Sequence, residues 1–170
     1  CSMSNLPQPH PSMNGILNIN KPCGITSMDV VRTIKRISRQ KRVGHGGTLD
    51  PFASGVIMIC IGQATRVMEH LINSGKEYHA EIELGIETDT YDIEGAVTSR
   101  MDSSKVTLTQ IEGTLESFKG NILQIPPMYS ALKIRGERLY KLARAGIEIE
   151  REAREVEVHS IQIQDWVPPI

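Results

Sequence analysis

The residues with the clearest chemical potential lie in one segment, residues 42–55, which we call the glycine loop. It contains four glycines, one histidine (His45) and one carboxylate (Asp50). Glycine is favoured where the backbone needs positive φ or where a ligand approaches the main chain closely. Pro51 biases Asp50 away from the helical region, so the carboxylate is predicted at a stiff bend. This arrangement indicates catalysis; the alternative is an Asp-Pro turn whose side chain only bonds its own backbone.

The elements around the glycine loop follow from hydrophobic periodicity. A short strand is predicted over residues 16–20, followed by a helix that opens with the capping-box pair Thr26 and Asp29. After the loop, residues 56–61 form a continuous apolar run, which favours a strand buried on both faces. The loop is therefore expected to connect a helix to a central strand.

The next segments are assigned in the same way. Residues 63–73 carry apolar side chains at helical spacing and favour a second helix. Residues 76–85 alternate with period two, which predicts a half-exposed antiparallel strand with Tyr78 pointing inward. The alternation of elements is not a clean βαβ series. We therefore predict an α+β fold with a mixed, mostly antiparallel sheet flanked by helices.

The last third of the chain carries shorter patterns. Thr109 and Glu112 have capping-box spacing and predict the start of a helix. A hairpin is predicted at residues 134–137, followed by a short basic helix over residues 139–145. Two registers of alternating apolar residues predict a last strand with a bulge near Ser160.

Composition limits the class of protein. The chain has 170 residues, is 39% hydrophobic and has a net charge of −1, which predicts one globular unit. Residues 1–13 are expected to be a disordered tail or a remnant of cloning. No apolar run is long enough to span a membrane, and the polar start lacks a signal-peptide pattern, so we expect a cytoplasmic protein. The three cysteines are too scattered for a disulfide framework or a metal site: Cys1, Cys23 and Cys60.

Basic residues are concentrated in two segments, although the overall charge is close to zero. One segment is the helix before the glycine loop together with the start of that loop, and the other begins at residue 133. This segregation predicts a side that faces a polyanion; the alternative is an ordinary solvated helix. The candidate contacts are Arg32, Lys35, Arg36, Arg39, Arg42, Lys133, Arg135 and Arg138.

An acidic turn over residues 87–95 is a possible cation site. It contains Asp89, Asp92 and Glu94 close together in sequence. It lacks the twelve-residue spacing of a calcium loop. We therefore predict no metal.

The glycine loop resembles the GHxGxLDPxAxG signature of the TruB family of tRNA pseudouridine synthases. Residues 15–27 are similar to the family's opening KPxGxTS block. Three further blocks match in the expected order, at residues 76–78, 88–95 and 125–133. The resemblance covers residues 14–166, which is nearly the whole chain.

The resemblance implies a pseudouridine synthase fold and the isomerisation of the T-loop uridine of tRNA, uridine-55, without cofactor or metal. Asp50 would be the nucleophile, with attack at C6 of the base or at C1′ of the sugar both open. Tyr78 matches the tyrosine that stacks on the flipped base, and His45 matches a histidine that helps to hold the nucleotide. Lys21 and Arg66 are expected to support structure or RNA contact.

The resemblance also implies how the chain is organised. Residues 14–170 are expected to be the N-terminal portion of the catalytic domain, with residues 126–154 in place of the family's RNA-gripping thumb. The expected partner is the T-stem-loop of tRNA, bound by a monomer. Family members continue with further strands and with an arginine that pairs with the nucleophile. We therefore expect the catalytic domain to be incomplete at its C-terminus here and to need the remaining part for activity.

Two other functions fit parts of the pattern. Residues 46–51 also resemble the GGTFDP turn of adenylyltransferases, but the HxGH element that grips the triphosphate does not follow. The basic segments alone would equally support a non-catalytic RNA-binding or chaperone role.

Overall fold

The computed structural model describes residues 12–130, 133–134 and 136–167. Contacts group the chain into two compact units, Cys1–His79 and Ala80–Ile170, where length and composition led us to expect one. The strand pairs of the described residues are all antiparallel and form four small sheets. The α+β class is confirmed, with its strands divided among these small sheets.

The first unit is built on a three-stranded sheet. In chain order its elements are β1 (Gly15–Lys21), α1 (Ser27–Ser38), β2 (Val43–His45), β3 (Gly55–Ile61), a 3-10 helix (Gly62–Val67) and α2 (Met68–Ile72). The sheet order is β1-β3-β2, so β3 is central. The predicted first strand, first helix and central strand are confirmed. The glycine loop differs from expectation because it begins as strand β2, and the helix expected at residues 63–73 divides into a 3-10 and an α segment.

Helix α1 begins with the expected capping box. The hydroxyl of Thr26 accepts a hydrogen bond from the Asp29 amide at 3.1 Å, and the Asp29 carboxylate accepts one from the Thr26 amide at 2.9 Å. Hydrogen bonds from the Thr26 hydroxyl and amide, with Arg32 adding a smaller effect, hold the pKa of Asp29 below its usual value. The stabilisation by this carboxylate is therefore present above the ordinary pKa and is lost as pH falls through the lowered one.

The core of the first unit lies between α1 and β3. Val30 and Val31 of the helix pack against Ile57 and Ile59 of the strand, and all four side chains are buried. Cys60, also on β3, is fully buried, and this burial raises the pKa of its thiol. The central strand is thus fixed by apolar packing close to the point where the glycine loop enters it.

The second unit is made of short elements. In chain order they are β4 (Ile86–Thr88), β5 (Val97–Arg100), α3 (Leu108–Glu116), β6 (Gly120–Gln124), β7 (Lys133–Ile134), β8 (Glu137–Arg138), α4 (Leu139–Arg144) and β9 (Arg154–Val158). The strands pair as β4 with β5, β6 with β9, and β7 with β8. The predicted hairpin and the short basic helix that follows it are confirmed.

The strand predicted over residues 76–85 is wrong. Its residues have no strand assignment, and Tyr78 is 67% exposed where we expected it to point inward. A strand forms only when a neighbouring strand supplies hydrogen-bond partners for its backbone. The described residues pair no strand with this segment.

Two further predictions about the second unit are wrong in their details. The N-cap of α3 is Thr107, which forms a capping box with Gln110 two residues before the expected pair. The earlier position also places the apolar residues Val106 and Ile111 at the spacing of a hydrophobic staple, which the later one does not. The bulge near Ser160 is absent from the described residues because β9 already ends at Val158.

The two possible caps of α3 can be separated by mutation. We expect Thr107→Ala to lower the free energy of unfolding by about 1 kcal/mol, because the helix loses its N-cap hydrogen bond. The matched control Thr109→Ala lies inside the helix, where alanine is favourable, and should have a neutral or slightly stabilising effect. Urea unfolding of both variants measures the difference. A larger loss for Thr109→Ala would contradict the observed cap.

Candidate active site

Asp50 lies at the start of a tight main-chain turn over residues 50–53. The amide of Ala53 donates a hydrogen bond to the carbonyl of Asp50 at 3.1 Å, which closes the turn. The turn is thus closed by the main chain. This leaves the side chain of Asp50 available for other contacts.

The residue before Asp50 is fixed to the first turn of α1. The Ser27 hydroxyl donates to the Leu49 carbonyl at 3.0 Å and accepts from the Leu49 amide at 3.0 Å. Ser27 is 4% exposed, and the side chain of Leu49 packs against the core between α1 and β3. The main chain that leads into Asp50 is therefore held by both hydrogen bonds and apolar packing.

The residue after Asp50 is fixed by Lys21, the last residue of β1. Lys21 is fully buried. Its ammonium donates to the carbonyls of Pro22 at 3.0 Å, Ile25 at 2.9 Å and Pro51 at 3.3 Å. The Gly24 amide also donates to the Pro51 carbonyl, at 2.8 Å. A buried ammonium is tolerated when each of its three N–H groups has an acceptor, and here each has one.

The Asp50 residue itself is exposed. Among the described residues its carboxylate makes no hydrogen bond or ion pair, in contrast to the carboxylates of Asp29 and Asp92. The alternative in which the side chain only bonds its own backbone is therefore not what the described part of the chain shows. The geometry combines a fixed main chain with an open carboxylate.

His45 lies on β2, opposite Ile59 of the central strand. Its Nδ1 is 2.5 Å from the carbonyl oxygen of Gly47. A carbonyl can only accept a hydrogen bond, so Nδ1 carries the proton and neutral His45 presents Nε2 as an acceptor. The imidazole is therefore oriented by the glycine loop itself.

The glycines on either side of His45 allow close packing. A Cβ at Gly44 would lie 2.5 Å from the sulfur of Met68, and a Cβ at Gly46 would lie 2.9 Å from Cβ of Leu71. Residues alternate between the two faces of a strand. The face that carries the two glycines is therefore filled by α2, and His45 is on the other face.

Tyr78 lies in the irregular segment that follows α2. Lys76, two residues earlier, donates to the carbonyls of Ile72 at 2.6 Å and Ser74 at 2.8 Å. A Cβ at Gly47 would lie 3.7 Å from Cε of this lysine. The chain thus passes beside the glycine loop just before Tyr78, whose ring is exposed.

The basic residues of α1 and its C-cap residue Arg39 form one exposed group. Arg32, Lys35, Arg36 and Arg39 are all exposed, and so is Arg42 just before β2. Arg32 forms an ion pair with Asp29. The remaining candidates are in the second unit: the backbones of Lys133 and Arg138 pair across the β7-β8 hairpin, and Arg135 lies outside the described residues.

The acidic turn uses its carboxylates internally. Asp92 accepts from the Thr90 hydroxyl at 2.6 Å and the Glu94 amide at 3.0 Å, and Asp89 accepts from the Ala96 amide at 2.8 Å. Within the described ranges, no group of three His, Cys, Asp or Glu side chains is arranged to hold a metal ion. In the same part of the chain, every helix is too short or too polar to cross a membrane.

Comparison with known proteins identifies the family. Residues 35–169 match the family model described as TruB family pseudouridylate synthase, N-terminal domain. The chain belongs to the TruB family. This confirms the resemblance that the glycine loop and its neighbouring blocks indicated.

Relatives of this TruB chain are similar along most of its length. A tRNA pseudouridine synthase B of Clostridium tetani is 55% identical over 151 residues, which are 89% of this chain and 52% of the relative. One from Dehalococcoides mccartyi is 56% identical over 158 residues, which are 93% of this chain and 53% of the relative. The chain therefore spans about half the length of these curated relatives.

A solved structure supports the TruB fold. A chain in the crystal structure of a Cbf5-Nop10-Gar1 complex has a TM-score of 0.57 and 26% sequence identity to this protein. The match covers 91% of this chain and 36% of that one. The α+β architecture is thus shared with a known structure.

Sequence reasoning missed how this TruB turn is held. Ser27 was not identified as a functional residue, and Lys21 was expected to support structure or RNA contact without a defined partner. One signal was present in the sequence: Lys21 ends an apolar strand. A lysine in such a position is buried only if its ammonium is fully hydrogen-bonded, so acceptors for Lys21 were to be expected. Its acceptor at Pro51 is 30 residues away in sequence, and periodicity does not reveal such a contact.

The contribution of Lys21 can be measured directly. Lys21→Met keeps the length of the side chain but leaves the carbonyls of Pro22, Ile25 and Pro51 without this donor. We expect a loss of about 2–4 kcal/mol in the free energy of unfolding. The control Lys105→Met changes an exposed lysine and should alter stability by less than about 0.5 kcal/mol. Equal unfolding midpoints for the two variants would show that Lys21 does not hold the turn.

Proposed function

We propose that this chain carries the catalytic aspartate of a tRNA pseudouridine synthase that isomerises uridine-55 in the T-loop. The observation that carries the proposal is the turn at Asp50, where the flanking main chain is fixed by Lys21 and Ser27 while the carboxylate is open. A nucleophile gains rate when its position is fixed before the substrate arrives.

The chemistry fits a carboxylate and needs no added reagent. Uridine and pseudouridine are isomers: the N1–C1′ bond breaks, a C5–C1′ bond forms, the C5 proton is lost to water, and N1 takes up a proton. Asp50 forms the covalent intermediate by attack at C6 of the base or at C1′ of the sugar, and both routes remain compatible with the exposed carboxylate. The bond to Asp50 breaks before the product leaves. On the C1′ route, C5 of the freed base displaces the carboxylate from C1′; on the C6 route, the carboxylate is eliminated from C6.

Two side chains are proposed to hold the flipped-out uridine. A base in a folded loop must leave its stack to reach the nucleophile, and such bases are held by aromatic stacking and pocket contacts. Tyr78 has an exposed ring on a segment that passes the glycine loop. His45 is oriented by the carbonyl of Gly47 and offers a ring nitrogen to the nucleotide.

The exposed basic residues of α1 and Arg42 are proposed to bind the tRNA backbone. Phosphate contacts position a nucleic acid and carry little sequence information. The hairpin β7-β8 lies in the segment proposed as the thumb, residues 126–154. We propose that the enzyme acts in the cytoplasm as a monomer on the T-stem-loop.

Turnover is proposed to need a second half of the kind that the curated relatives carry. By resemblance to the family, an arginine that pairs with the nucleophile lies in that half. A bidentate cation orients a carboxylate and reduces its repulsion from phosphate-rich RNA. We expect little release of the C5 hydrogen by the 170-residue chain alone, and turnover when the C-terminal half of the Clostridium tetani relative is supplied. Full turnover by the chain alone would contradict this expectation.

The role of Asp50 is tested in that supplemented assay. Asp50→Asn keeps the shape of the side chain and removes the nucleophile, so we expect release of the C5 hydrogen to fall to the background level. Binding of tRNA should stay within a few-fold, because the change leaves the basic residues intact. The control Asp165→Asn changes an exposed carboxylate elsewhere and should keep full activity. Turnover by Asp50→Asn above about a tenth of wild type would refute the assignment.

The basic face is tested by the salt dependence of tRNA binding. We expect Lys35→Ala with Arg36→Ala to weaken binding and to reduce the slope of log K against log salt by about two, one for each lost phosphate contact. The control pair Arg100→Ala with Lys105→Ala removes the same charge from exposed positions outside this face. The control pair should keep the wild-type slope. If the Lys35→Ala, Arg36→Ala variant also has the wild-type slope, α1 does not contact RNA.

A further inference from the structure

A recess in the second unit contains a guanidinium with incomplete hydrogen bonding. The recess has a volume of about 220 Å³, and its lining includes Tyr91, Tyr129, Glu148 and Arg151. Nε and Nη1 of Arg151 are buried and have no hydrogen-bond partner among the described residues. Because buried donors are normally paired, this arginine indicates a group that is supplied from outside.

The neighbouring acid does not satisfy this arginine. Oε1 of Glu148 is 3.9 Å from Nη2 of Arg151, which is too long for a hydrogen bond. The Glu148 side chain is 84% exposed, whereas that of Arg151 is 18% exposed. An anionic group with acceptor oxygens, such as a phosphate or a carboxylate, would accept hydrogen bonds from the guanidinium and offset its cost of burial.

The tyrosines favour a nucleotide over a simple carboxylate. Tyr91 has φ of 62°, in the left-handed region that a bulky residue seldom adopts, and the residue is 80% exposed. The acidic turn holds this conformation, since the Tyr91 amide donates to the Thr88 carbonyl at 3.2 Å. Strained residues of this kind occur often at ligand sites. Aromatic rings beside a guanidinium suit an unstacked base together with its phosphate.

We propose that this recess binds one nucleotide of single-stranded RNA other than the target uridine. Its phosphate pairs with Arg151, and its base lies against Tyr91 and Tyr129. Asp89, which also lines the recess, already accepts from the Ala96 amide through Oδ1. Glu148 lines the recess as well, and its side chain is 84% exposed. The choice of RNA as the partner rests on the proposed function, whereas the need for an acceptor on Arg151 rests on the guanidinium alone.

The main test measures binding of tRNA and of a short single-stranded RNA oligonucleotide by fluorescence anisotropy. Arg151→Met should weaken binding about five- to tenfold and reduce the salt slope by about one. The matched control is Arg154→Met, because the guanidinium of Arg154 already donates to Gln124 at 3.0 Å. Its affinity should stay within about twofold of wild type. Equal binding by wild type and Arg151→Met would overturn the proposal. That result is also what we expect if a protein carboxylate, and not RNA, occupies the recess.

Thermal unfolding separates a binding role from a structural one. Replacing a buried, incompletely paired guanidinium by an apolar side chain of similar length should leave the Tm unchanged or raise it. If Arg151 served only the fold, Arg151→Met would lower the Tm. Weaker RNA binding would then follow from the loss of stability, and this combination would contradict the proposal.

A second variant keeps the test independent of folding at Arg151. Glu148→Gln removes an exposed negative charge next to the site and should tighten RNA binding about two- to threefold. Unchanged affinity in this variant would also overturn the proposal. Both measurements report binding, so they remain valid if Asp50→Asn shows that the proposed reaction is wrong. Conversely, if Asp50→Asn loses turnover and Arg151→Met binds RNA normally, the proposed reaction stands and only the proposal about the recess is refuted.

Discussion

The ammonium of Lys21 is the interaction on which the candidate site depends. It joins three points of the main chain: the end of β1, the approach to α1 and the turn after Asp50. Since the ammonium is fully buried, its hydrogen bonds do not compete with water and enforce one geometry. The site is therefore built on backbone contacts, with Ser27 fixing the other side of the turn.

In this site the main chain is held in place while the side chain of Asp50 stays open. The main chain around Asp50 is held by Lys21, Ser27 and the packing of Leu49, while the carboxylate remains exposed. His45 follows the same rule, because a backbone carbonyl orients its ring. Under the proposed function, a substrate would reach Asp50 and His45 without displacing the contacts that position them.

The sequence predicted the features that depend on local patterns. Apolar periodicity and capping chemistry were sufficient for β1, α1 and β3. The motif singled out Asp50 and His45, and their roles stay predictions. The failures involve partners that are distant or ambiguous. The alternation around Tyr78 indicated a strand, but a strand also needs a neighbour. Two overlapping capping boxes competed at the start of α3, and staple spacing favours Thr107. The acceptors of Lys21 are carbonyls, which every residue carries, so residue types could not identify them.

The contact between the Lys21 side chain and a main-chain carbonyl affects which pairs of positions covary among related sequences. A salt bridge links two side chains, and a change in one can be compensated by a change in the other. Lys21 instead binds the carbonyl of Pro51, an atom that survives any substitution at that position. Pairwise covariation between positions 21 and 51 is therefore not expected from this contact. Contact maps inferred from covariation would therefore miss a hydrogen bond that holds the turn after Asp50.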